Sequence, residues 1–357
     1  MEGYAKLLKE LREKTTDESQ PDDRVLIVDG LNSFIRVFSA VPAVNEDGEH
    51  IGGITGFLRS IAFVVRSVRP TRLIIVFDGK GGSVKRRDLY ADYKAGRKIN
   101  TKFNRPDHLE INVEEEMKNM KNQLSRLTQY LDTLPITILS IDNVEADDVI
   151  AYMTTDIFHK SNKVVIMSDD KDYLQLVNDN VSVWRPITKV LYTRETVLEK
   201  LGVPSHNYLT LKLFLGDASD NIKGVNKVGL KTLQKYLPEI LYDKKLTVDD
   251  IIQICQDRVS IAKIGFYQTV LDSEKTLRLN YELMQLESVD IPGAVKSTVR
   301  DIVGKQEIPH LNKFQFKKLL MEDKGYTAIK DPDSFLMESF NALAGFATMK
   351  NNNAQSF

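Results

Sequence analysis

Cysteine is almost absent from this chain of 357 residues: Cys255 is the only one, and there are five histidines. A single cysteine excludes an internal disulfide framework and a cysteine-rich zinc site, and it is typical of the reducing cytoplasm. There is also no run of 18 uncharged apolar residues, and the N-terminus has no apolar signal core. We therefore expect a cytoplasmic protein without a membrane span or a secretory signal.

The chain also has very little net charge, because its formal charge is only −1. The net charge therefore gives no indication of a nucleic-acid partner. The distribution of charge along the chain does indicate one. Residues 79–105 hold nine lysines and arginines against two aspartates, a net charge of +7, with tyrosines between them. Such a run is most often a solvated loop, but its position after an acidic strand end favours a segment that follows phosphates and stacks bases. The contacts expected from this segment are Lys80, Lys85, Tyr93 and Lys98.

Four buried, β-branched runs are present, at residues 25–30, 73–77, 136–141 and 163–167. They alternate with helical patterns, which predicts an α/β fold with a mostly parallel central sheet flanked by helices. Each run is followed by acidic residues. Because the carboxyl ends of parallel strands meet at one edge of the sheet, we expect these acids to converge there. Strand patterns stop after Trp184 and helical patterns dominate beyond it, so we place a boundary near residue 195.

The converging acids predict a metal site. One aspartate after a strand is ordinary turn chemistry, but several acidic strand ends at one edge would repel one another without a cation. Carboxylate oxygens are the ligands that Mg²⁺ and Mn²⁺ prefer. The candidate residues supply nine carboxylates, which are too many for one octahedral ion. Two ions can activate a water and stabilise the leaving oxygen of a phosphodiester without a nucleophilic side chain. The predicted ligands are Asp29, Asp78, Glu145, Asp147, Asp148, Asp170, Asp172, Asp217 and Asp220.

A glycine-rich stretch at residues 224–232 is similar to a phosphate-binding P-loop, but its lysine, Lys231, comes one residue late and no buried strand precedes it. The pattern better fits a tight turn between two helices whose backbone amides hold a DNA phosphate. A plain helix-packing corner is the alternative. The expected DNA contacts of the turn are Gly224, Lys227, Gly229 and Lys231.

Six short motifs carry a family resemblance through their order and spacing. They are residues 28–30 (Val-Asp-Gly), 77–80 (Phe-Asp-Gly-Lys), 93–97 (Tyr-Lys-Ala-Gly-Arg), 145–148 (Glu-Ala-Asp-Asp), 170–172 (Asp-Lys-Asp) and 216–222 (Gly-Asp-Ala-Ser-Asp-Asn-Ile). Together they resemble the 5′ nuclease family, which includes flap endonucleases, the 5′-exonuclease domain of bacterial DNA polymerase I and phage ribonuclease H. Phage ribonuclease H is nearest in type.

The resemblance implies a PIN-like nuclease domain at residues 25–195, with a basic arch at 79–112, after an N-terminal extension at 1–24. It also implies a helical DNA-binding domain at 196–345, with a helix–hairpin–helix at 215–237, and a C-terminal tail at 346–357. Because the segment 79–105 has few large apolar residues, we expect it to be mobile until DNA binds.

The resemblance also implies roles for the site residues. Asp29, Asp78, Glu145, Asp147, Asp148 and Asp170 would serve the first ion, and Asp172, Asp217 and Asp220 the second. Lys94 stands where the family's arch lysine contacts the scissile phosphate, with Arg86, Arg87 and Arg97 as basic neighbours. The glycine turn would hold the duplex, with a potassium ion. The family's turn reads Gly-Val-Pro-Gly-Ile-Gly, and here Asn226 and Lys227 replace Pro-Gly.

The implied function is a magnesium-dependent 5′-to-3′ exonuclease and flap endonuclease that removes RNA primers and 5′ flaps during replication. Its partners would be branched or nicked duplex DNA and RNA–DNA hybrid with a 5′ end. Single-stranded-DNA-binding protein and a sliding clamp are further candidates, and the chain would act as a monomer in prokaryotic or phage-infected cytoplasm. Two alternatives stay open. A non-catalytic DNA-junction binder would gain nothing from a large negative pocket, and a PIN-type ribonuclease would not need the duplex-holding turn.

Overall fold

The computed structural model describes residues 19–96, 102–106, 112–158, 162–305 and 307–354. Most of the predicted extension at 1–24 therefore lies outside the described residues. Six strands form one sheet in the order β3-β2-β1-β4-β5-β6, and all neighbours pair in parallel except β5 and β6. This confirms the predicted mostly parallel sheet. The strands are β1 (Arg24–Asp29), β2 (Arg72–Asp78), β3 (Thr137–Ile141), β4 (Lys163–Met167), β5 (Val181–Arg185) and β6 (Val190–Tyr192).

The last two strands were not predicted. The prediction of four strands, with no strand pattern after Trp184, is wrong, because β5 contains Trp184 and β6 follows it. β5 has five residues, Val-Ser-Val-Trp-Arg, in which buried and half-buried side chains are mixed. β6 has only three residues, too few for a period to be recognised.

Helices surround the sheet, and most are short. The helices are α1 (Gly30–Ala40), α2 (Gly52–Val68), α3 (Val84–Leu89), α4 (Val113–Leu131), α5 (Ala146–Tyr152), α6 (Arg194–Leu201), α7 (Tyr208–Leu215), α8 (Leu230–Tyr236), α9 (Val248–Ala262), α10 (Gly265–Asp272), α11 (Glu274–Met284), α12 (Gly293–Lys305), α13 (Lys313–Glu322) and α14 (Pro332–Ala354). Two short antiparallel strands, β7 (Gly216–Asp217) and β8 (Ile222–Lys223), lie between α7 and α8. None of the helices in the described ranges has the length and apolar composition that crossing a membrane requires.

Alternate residues of the strands enter two hydrophobic clusters, one on each face of the sheet. Ile27 lies in one cluster and Leu26 in the other, as expected for side chains that alternate along a strand. Residues of the later helices up to Val303 join the first cluster, and those from Phe316 onward join the second. Helices of residues 196–345 thus contribute to the clusters on both faces of the sheet.

The C-terminal helix α14 corrects a second expectation. A polar tail was expected from residue 346, but α14 continues to Ala354, and Ala347 and Asn351 are buried. The Asn351 amide donates to the Ile308 carbonyl at 2.9 Å, and its oxygen accepts from the Ile308 amide at 2.9 Å. The sequence pattern missed this because asparagine is an uncommon buried residue whose two hydrogen bonds only the tertiary fold supplies.

Candidate metal centre and nucleic-acid interface

The carboxyl ends of β1 and β2 place two of the predicted ligands at the same edge of the sheet. Asp29 ends β1 and caps α1, accepting from the Asn32 amide at 3.2 Å and from the Ser168 hydroxyl at 3.0 Å. Asp78 ends β2 and accepts from the Ala146 amide at 2.9 Å. Since Ala146 opens α5, this bond brings the start of that helix to the strand end.

Asp147 and Asp170 lie close to these two residues. The Tyr173 hydroxyl donates to Asp147 Oδ1 at 2.5 Å and lies 3.4 Å from Asp29 Oδ2. Tyr173 is fully buried, so its ring holds the hydroxyl between the two carboxylates. Asp170 follows β4 and accepts from the Asp172 amide at 2.8 Å. We call Asp29, Asp78, Asp147 and Asp170 the first acidic group.

Burial and mutual repulsion raise the pKa values of Asp29, Asp147 and Asp170 in the first acidic group. Burial raises the pKa of Asp29 to about 7, and the charges of Asp170 and Asp78 add to the rise. Burial likewise raises the pKa of Asp147 well above its ordinary value, and the neighbouring Asp170 and Asp29 raise it further. The pKa of Asp170 is raised by burial and by Asp172. Lys94 near Asp147 and Lys212 near Asp170 oppose these increases but do not outweigh them.

Three more of the predicted ligands, Asp172, Asp217 and Asp220, form a second acidic group, and a lysine lies among them. Lys212 Nζ lies 2.7 Å from Asp172 Oδ1 and forms a further ion pair with Asp217. Burial would raise the pKa of Asp217, but hydrogen bonds from Lys212 and Ser219 outweigh it and lower the pKa. The pKa of Asp172 is raised by burial although Lys212 opposes the rise.

Two further predicted ligands, Glu145 and Asp148, are paired with basic side chains. The Arg86 guanidinium binds Glu145 and lies 2.6 Å from Asp148 Oδ1, and Lys94 Nζ lies 2.9 Å from Glu145 Oε1. Burial would raise the pKa of Glu145, but Arg86 and Lys94 outweigh it and the pKa is lowered. Predicted catalytic cations and predicted metal ligands therefore lie in direct contact.

Within the described ranges, no three His, Cys, Asp or Glu side chains are arranged as a ready metal site. Lysine and arginine side chains lie between several of the carboxylates, as described for Lys94, Arg86 and Lys212. The donor set nevertheless fits hard divalent cations, because the carboxylates of the first acidic group are crowded and Asp170 raises the pKa of both Asp29 and Asp147. A cation there would relieve the repulsion that raises their pKa values.

The basic segment is anchored more firmly than expected. Tyr93 is 3 % exposed and donates to Glu145 at 3.2 Å, so its ring cannot be the base-stacking platform that was predicted. Phe103 and Arg105 are also buried, and Arg105 pairs with Glu116 at 2.7 Å. The premise that this segment has too few buried residues to be anchored is therefore wrong.

Three other basic residues of the segment face solvent. Lys80, Lys85 and Arg87 are exposed, and Lys85 pairs with Asp290 at 2.5 Å. The predicted contacts Arg97 and Lys98 lie outside the described residues.

The glycine turn lies between α7 and α8, as predicted for the helix–hairpin–helix. Gly216 has a φ of +69°, and a Cβ there would come within 2.4 Å of the Gly224 amide nitrogen, so the close approach of β7 and β8 requires glycine. Lys227 has a φ of +58°, the left-handed conformation that a glycine adopts without strain. Lys227 and Lys231 are exposed, and Gly229 precedes α8.

Two residues of the site were not found from the sequence. Lys212 is the one charged residue of α7, whose sequence is Tyr-Leu-Thr-Leu-Lys-Leu-Phe-Leu, and a single charge in an apolar helix was a usable signal. Tyr173 gave no such signal, since a tyrosine beside Asp172 reads equally well as core. Its role depends on a contact with Asp147, which is 26 residues away in the chain.

Comparison with known proteins places these features in a family. Residues 24–202 match the family model described as "5'-3' exonuclease, N-terminal resolvase-like domain". A 5′-3′ exonuclease of Aquifex aeolicus is 35 % identical over 215 residues, which cover 59 % of this chain and 68 % of that protein. A 5′-3′ exonuclease of Buchnera aphidicola is 28 % identical over 287 residues, covering 79 % of this chain and 92 % of that protein. A thermostable DNA polymerase I of Thermus thermophilus is 31 % identical over 221 residues, 62 % of this chain and 24 % of that protein.

Solved structures show the same fold. The flap endonuclease of bacteriophage T5, in a complex with DNA and metal ions, superposes with a TM-score of 0.59 at 25 % identity, covering 84 % of this chain and 99 % of that one. The T5 5′-exonuclease with bound divalent zinc ions superposes with a TM-score of 0.59 at 23 % identity, covering 87 % and 100 % of the two chains.

Proposed function

The chain belongs to the 5′-3′ exonuclease family of structure-specific 5′ nucleases, and we propose that it hydrolyses phosphodiester bonds of RNA primers and 5′ flaps during DNA replication. The resemblance drawn from the sequence motifs is confirmed by the family match. The substrates, the ions and the residue roles that follow are our proposal for this chain.

One observation carries the proposal: the first acidic group, in which Asp29 is buried, and the lysine-bridged second acidic group lie at the sheet edge next to Lys94 and Arg86. In a protein that only bound DNA, this concentration of carboxylates would lower the affinity for DNA, because DNA phosphates carry the same negative charge. A hydrolase needs it, because carboxylates hold the divalent ions.

The first acidic group, with Glu145 and Asp148, would hold one divalent ion, and Asp172, Asp217 and Asp220 would hold the second. Bound Mg²⁺, with Mn²⁺ as a substitute, would supply a water of lowered pKa and stabilisation of the leaving oxygen. The zinc-bound T5 5′-exonuclease supports divalent ions as the class of cofactor.

Lys94 and Arg86 would bind and orient the scissile phosphate. Burial would lower the pKa of Lys94, but Glu145 outweighs it and the pKa is raised, so the ammonium stays charged over the range in which DNA is stable. The Arg86 guanidinium is likewise always charged. Arg86 offers two nitrogens in one plane, which matches two phosphate oxygens. Both cations now neutralise Glu145 and Asp148, so a phosphate and a metal ion would replace these contacts together.

The duplex next to the 5′ end would lie on the glycine turn. Gly224, Gly229, Lys227 and Lys231 supply backbone amides and positive charge to phosphates, and a potassium ion at the turn would add to them. We infer that the chain acts as a monomer, in the cytoplasm, on branched or nicked DNA and RNA–DNA hybrids, with single-stranded-DNA-binding protein and a sliding clamp as partners. The T5 flap endonuclease complex with DNA supports DNA as the ligand class.

The direct test is cleavage of a 5′-labelled flap duplex, a nicked duplex and an RNA–DNA hybrid, each with Mg²⁺ and with EDTA. We expect Mg²⁺-dependent release of short 5′ products and none from a covalently closed circular duplex, which has no 5′ end. Tight flap binding with no cleavage in Mg²⁺ or Mn²⁺ would point to a junction-binding protein. Cleavage of single-stranded RNA alone would point to a PIN-type ribonuclease.

A further inference from the structure

Asn221 connects the basic segment to the loop that carries the second acidic group. Its side-chain amide donates to the Ala95 carbonyl and, at 3.2 Å, to the Asp92 carbonyl. These two carbonyls lie on either side of Lys94 in the chain. Because an asparagine amide has two N–H donors, one side chain can satisfy both acceptors.

Two further bonds run in the opposite direction, one from the backbone of Lys94 and one from the side chain of Tyr90. The Lys94 amide donates to the Asp220 carbonyl at 3.0 Å, and the Tyr90 hydroxyl lies 3.4 Å from the Asn221 carbonyl. Lys94 is therefore held at both ends. Its backbone is bound to the loop of the second acidic group, and its ammonium is bound to Glu145, 2.9 Å away.

Both residues at this contact adopt a backbone conformation that side chains usually avoid. The φ of Lys94 is +55° and that of Asn221 is +60°. A left-handed non-glycine residue persists only where the surrounding contacts hold it, and asparagine tolerates this region better than lysine does. The Asn221 amide bonds to the carbonyls on both sides of Lys94 are contacts of that kind.

We propose that Asn221 is a positioning residue that keeps Lys94 in its left-handed turn, so that the phosphate-binding lysine is aligned with the second acidic group. The effect on catalysis that we infer rests on the proposed function. The contact itself exists without substrate, and it can be tested without substrate.

The chain supplies a matched pair of variants. Asn221→Gly removes the amide but keeps a residue that is free to adopt a positive φ. Asn143→Gly makes the same change at an exposed asparagine with a φ of +62° at the same edge of the sheet. A difference between the two variants therefore reports the lost amide contacts and not the added flexibility of glycine.

Hydrogen exchange of the full chain in EDTA without DNA tests the contact, because the Lys94 amide is itself a donor in it. We expect Asn221→Gly to accelerate exchange at Lys94 about tenfold or more, and Asn143→Gly to leave it unchanged. Unchanged exchange at Lys94 in Asn221→Gly would overturn the proposal. The melting temperature of each variant is measured in parallel, so that global unfolding is recognised.

Single-turnover cleavage of a flap duplex tests the consequence through a double-mutant cycle. We expect Asn221→Gly to slow cleavage about 10–100-fold with DNA affinity changed less than about threefold, since a small misplacement of a catalytic group acts on the rate. In a Lys94→Ala background the same change should slow cleavage less than about threefold, because the lysine it positions is gone.

Equal effects of Asn221→Gly in both backgrounds would mean that the amide does not act through Lys94 and would overturn the proposal. A wild-type chain that cleaves none of the substrates would contradict the proposed function. The hydrogen exchange at Lys94 would still decide for or against the contact in that case.

Discussion

The two acidic groups carry similar side chains but are neutralised in different ways. In the first, burial and repulsion raise the pKa of Asp29 to about 7 and that of Asp147 well above its ordinary value, and no basic side chain pairs with either among the described residues. In the second, Lys212 bridges Asp172 and Asp217, and the pKa of Asp217 is lowered.

The difference indicates which group depends on a metal ion. In the second group Lys212 holds the pKa of Asp217 low, whereas in the first group Asp29 and Asp147 have raised pKa values that an entering cation would lower. We therefore expect the first group to take up a divalent ion with loss of protons, and the second to bind one in competition with Lys212. The following predictions test this comparison.

The largest effect is expected from removing one charge in each group. Asp147→Asn and Asp217→Asn should each slow flap cleavage about 10²–10³-fold or more, because both remove a ligand that acts in the transition state. In EDTA, the two variants should change the free energy of unfolding in opposite directions. Asp147→Asn relieves repulsion and should raise the free energy of unfolding by about 1 kcal/mol, whereas Asp217→Asn takes a partner from Lys212 and should lower it by about 1 kcal/mol. Urea unfolding in EDTA measures both, and a decrease for Asp147→Asn would contradict the assignment.

The metal-free protein should lose stability as the pH rises. The folded pKa of Asp29 is about 7 against an ordinary value of 3.8, so between these values the folded chain holds a proton that the unfolded chain has lost. Stability then falls with rising pH through this window, by up to about 1.4 kcal/mol per pH unit for each such group.

Asp29→Asn is the control for this pH dependence. Urea unfolding in EDTA at several pH values between about 4 and 7 should show a steeper decline for the wild type than for Asp29→Asn. Parallel curves would mean that Asp29 is ionised throughout. With Mg²⁺ present, the wild-type decline should be smaller, because the ion binds the ionised carboxylates.

Tyr173→Phe should weaken binding of a divalent ion about tenfold, because it removes the hydroxyl that orients Asp147 and Asp29. Tyr130→Phe is the matched control. Its hydroxyl donates to Asp323 at 2.8 Å, so it also loses a buried tyrosine–carboxylate bond, but away from the acidic groups. Calorimetric titration with Mg²⁺ compares the two, and equal affinities would show that Tyr173 only fills space.

The smallest effect is expected at the glycine turn. Lys227→Gly should raise the free energy of unfolding by about 0.5–1 kcal/mol, because it relieves a left-handed lysine. It should also weaken duplex binding and reduce the slope of log affinity against log salt by about 0.9. Lys231→Ala should give the binding effect without the gain in stability. If both variants bind duplex as the wild type does, the turn is a packing corner.

The sequence was sufficient for features that depend on local pattern. The four parallel strands were predicted because each lies in a continuous run rich in apolar and β-branched residues, and their acidic ends follow from the direction of parallel strands. β6 was not predicted, because three residues are too few to show the alternation of a strand. Motif order was sufficient for the family, since each motif is short but the set is specific.

Contacts between distant residues could not be predicted in this way. Tyr173 meets Asp147, and Asn221 meets Asp92 and Ala95, only because the chain folds back on itself. The anchoring of the basic segment was misjudged for the same reason. Counting apolar residues did not reveal that Tyr93 is buried against Glu145, a partner 52 residues away.

Proton release on metal binding tests the comparison most directly. We propose titrating the wild-type chain with Mg²⁺ by calorimetry near pH 6, in buffers of different ionisation enthalpy, so that the number of protons released per ion is obtained. The pKa of about 7 at Asp29 predicts release of about one proton or more when the first ion binds. Binding with no proton release would show that the first acidic group is already ionised, and the contrast between the two groups would be contradicted.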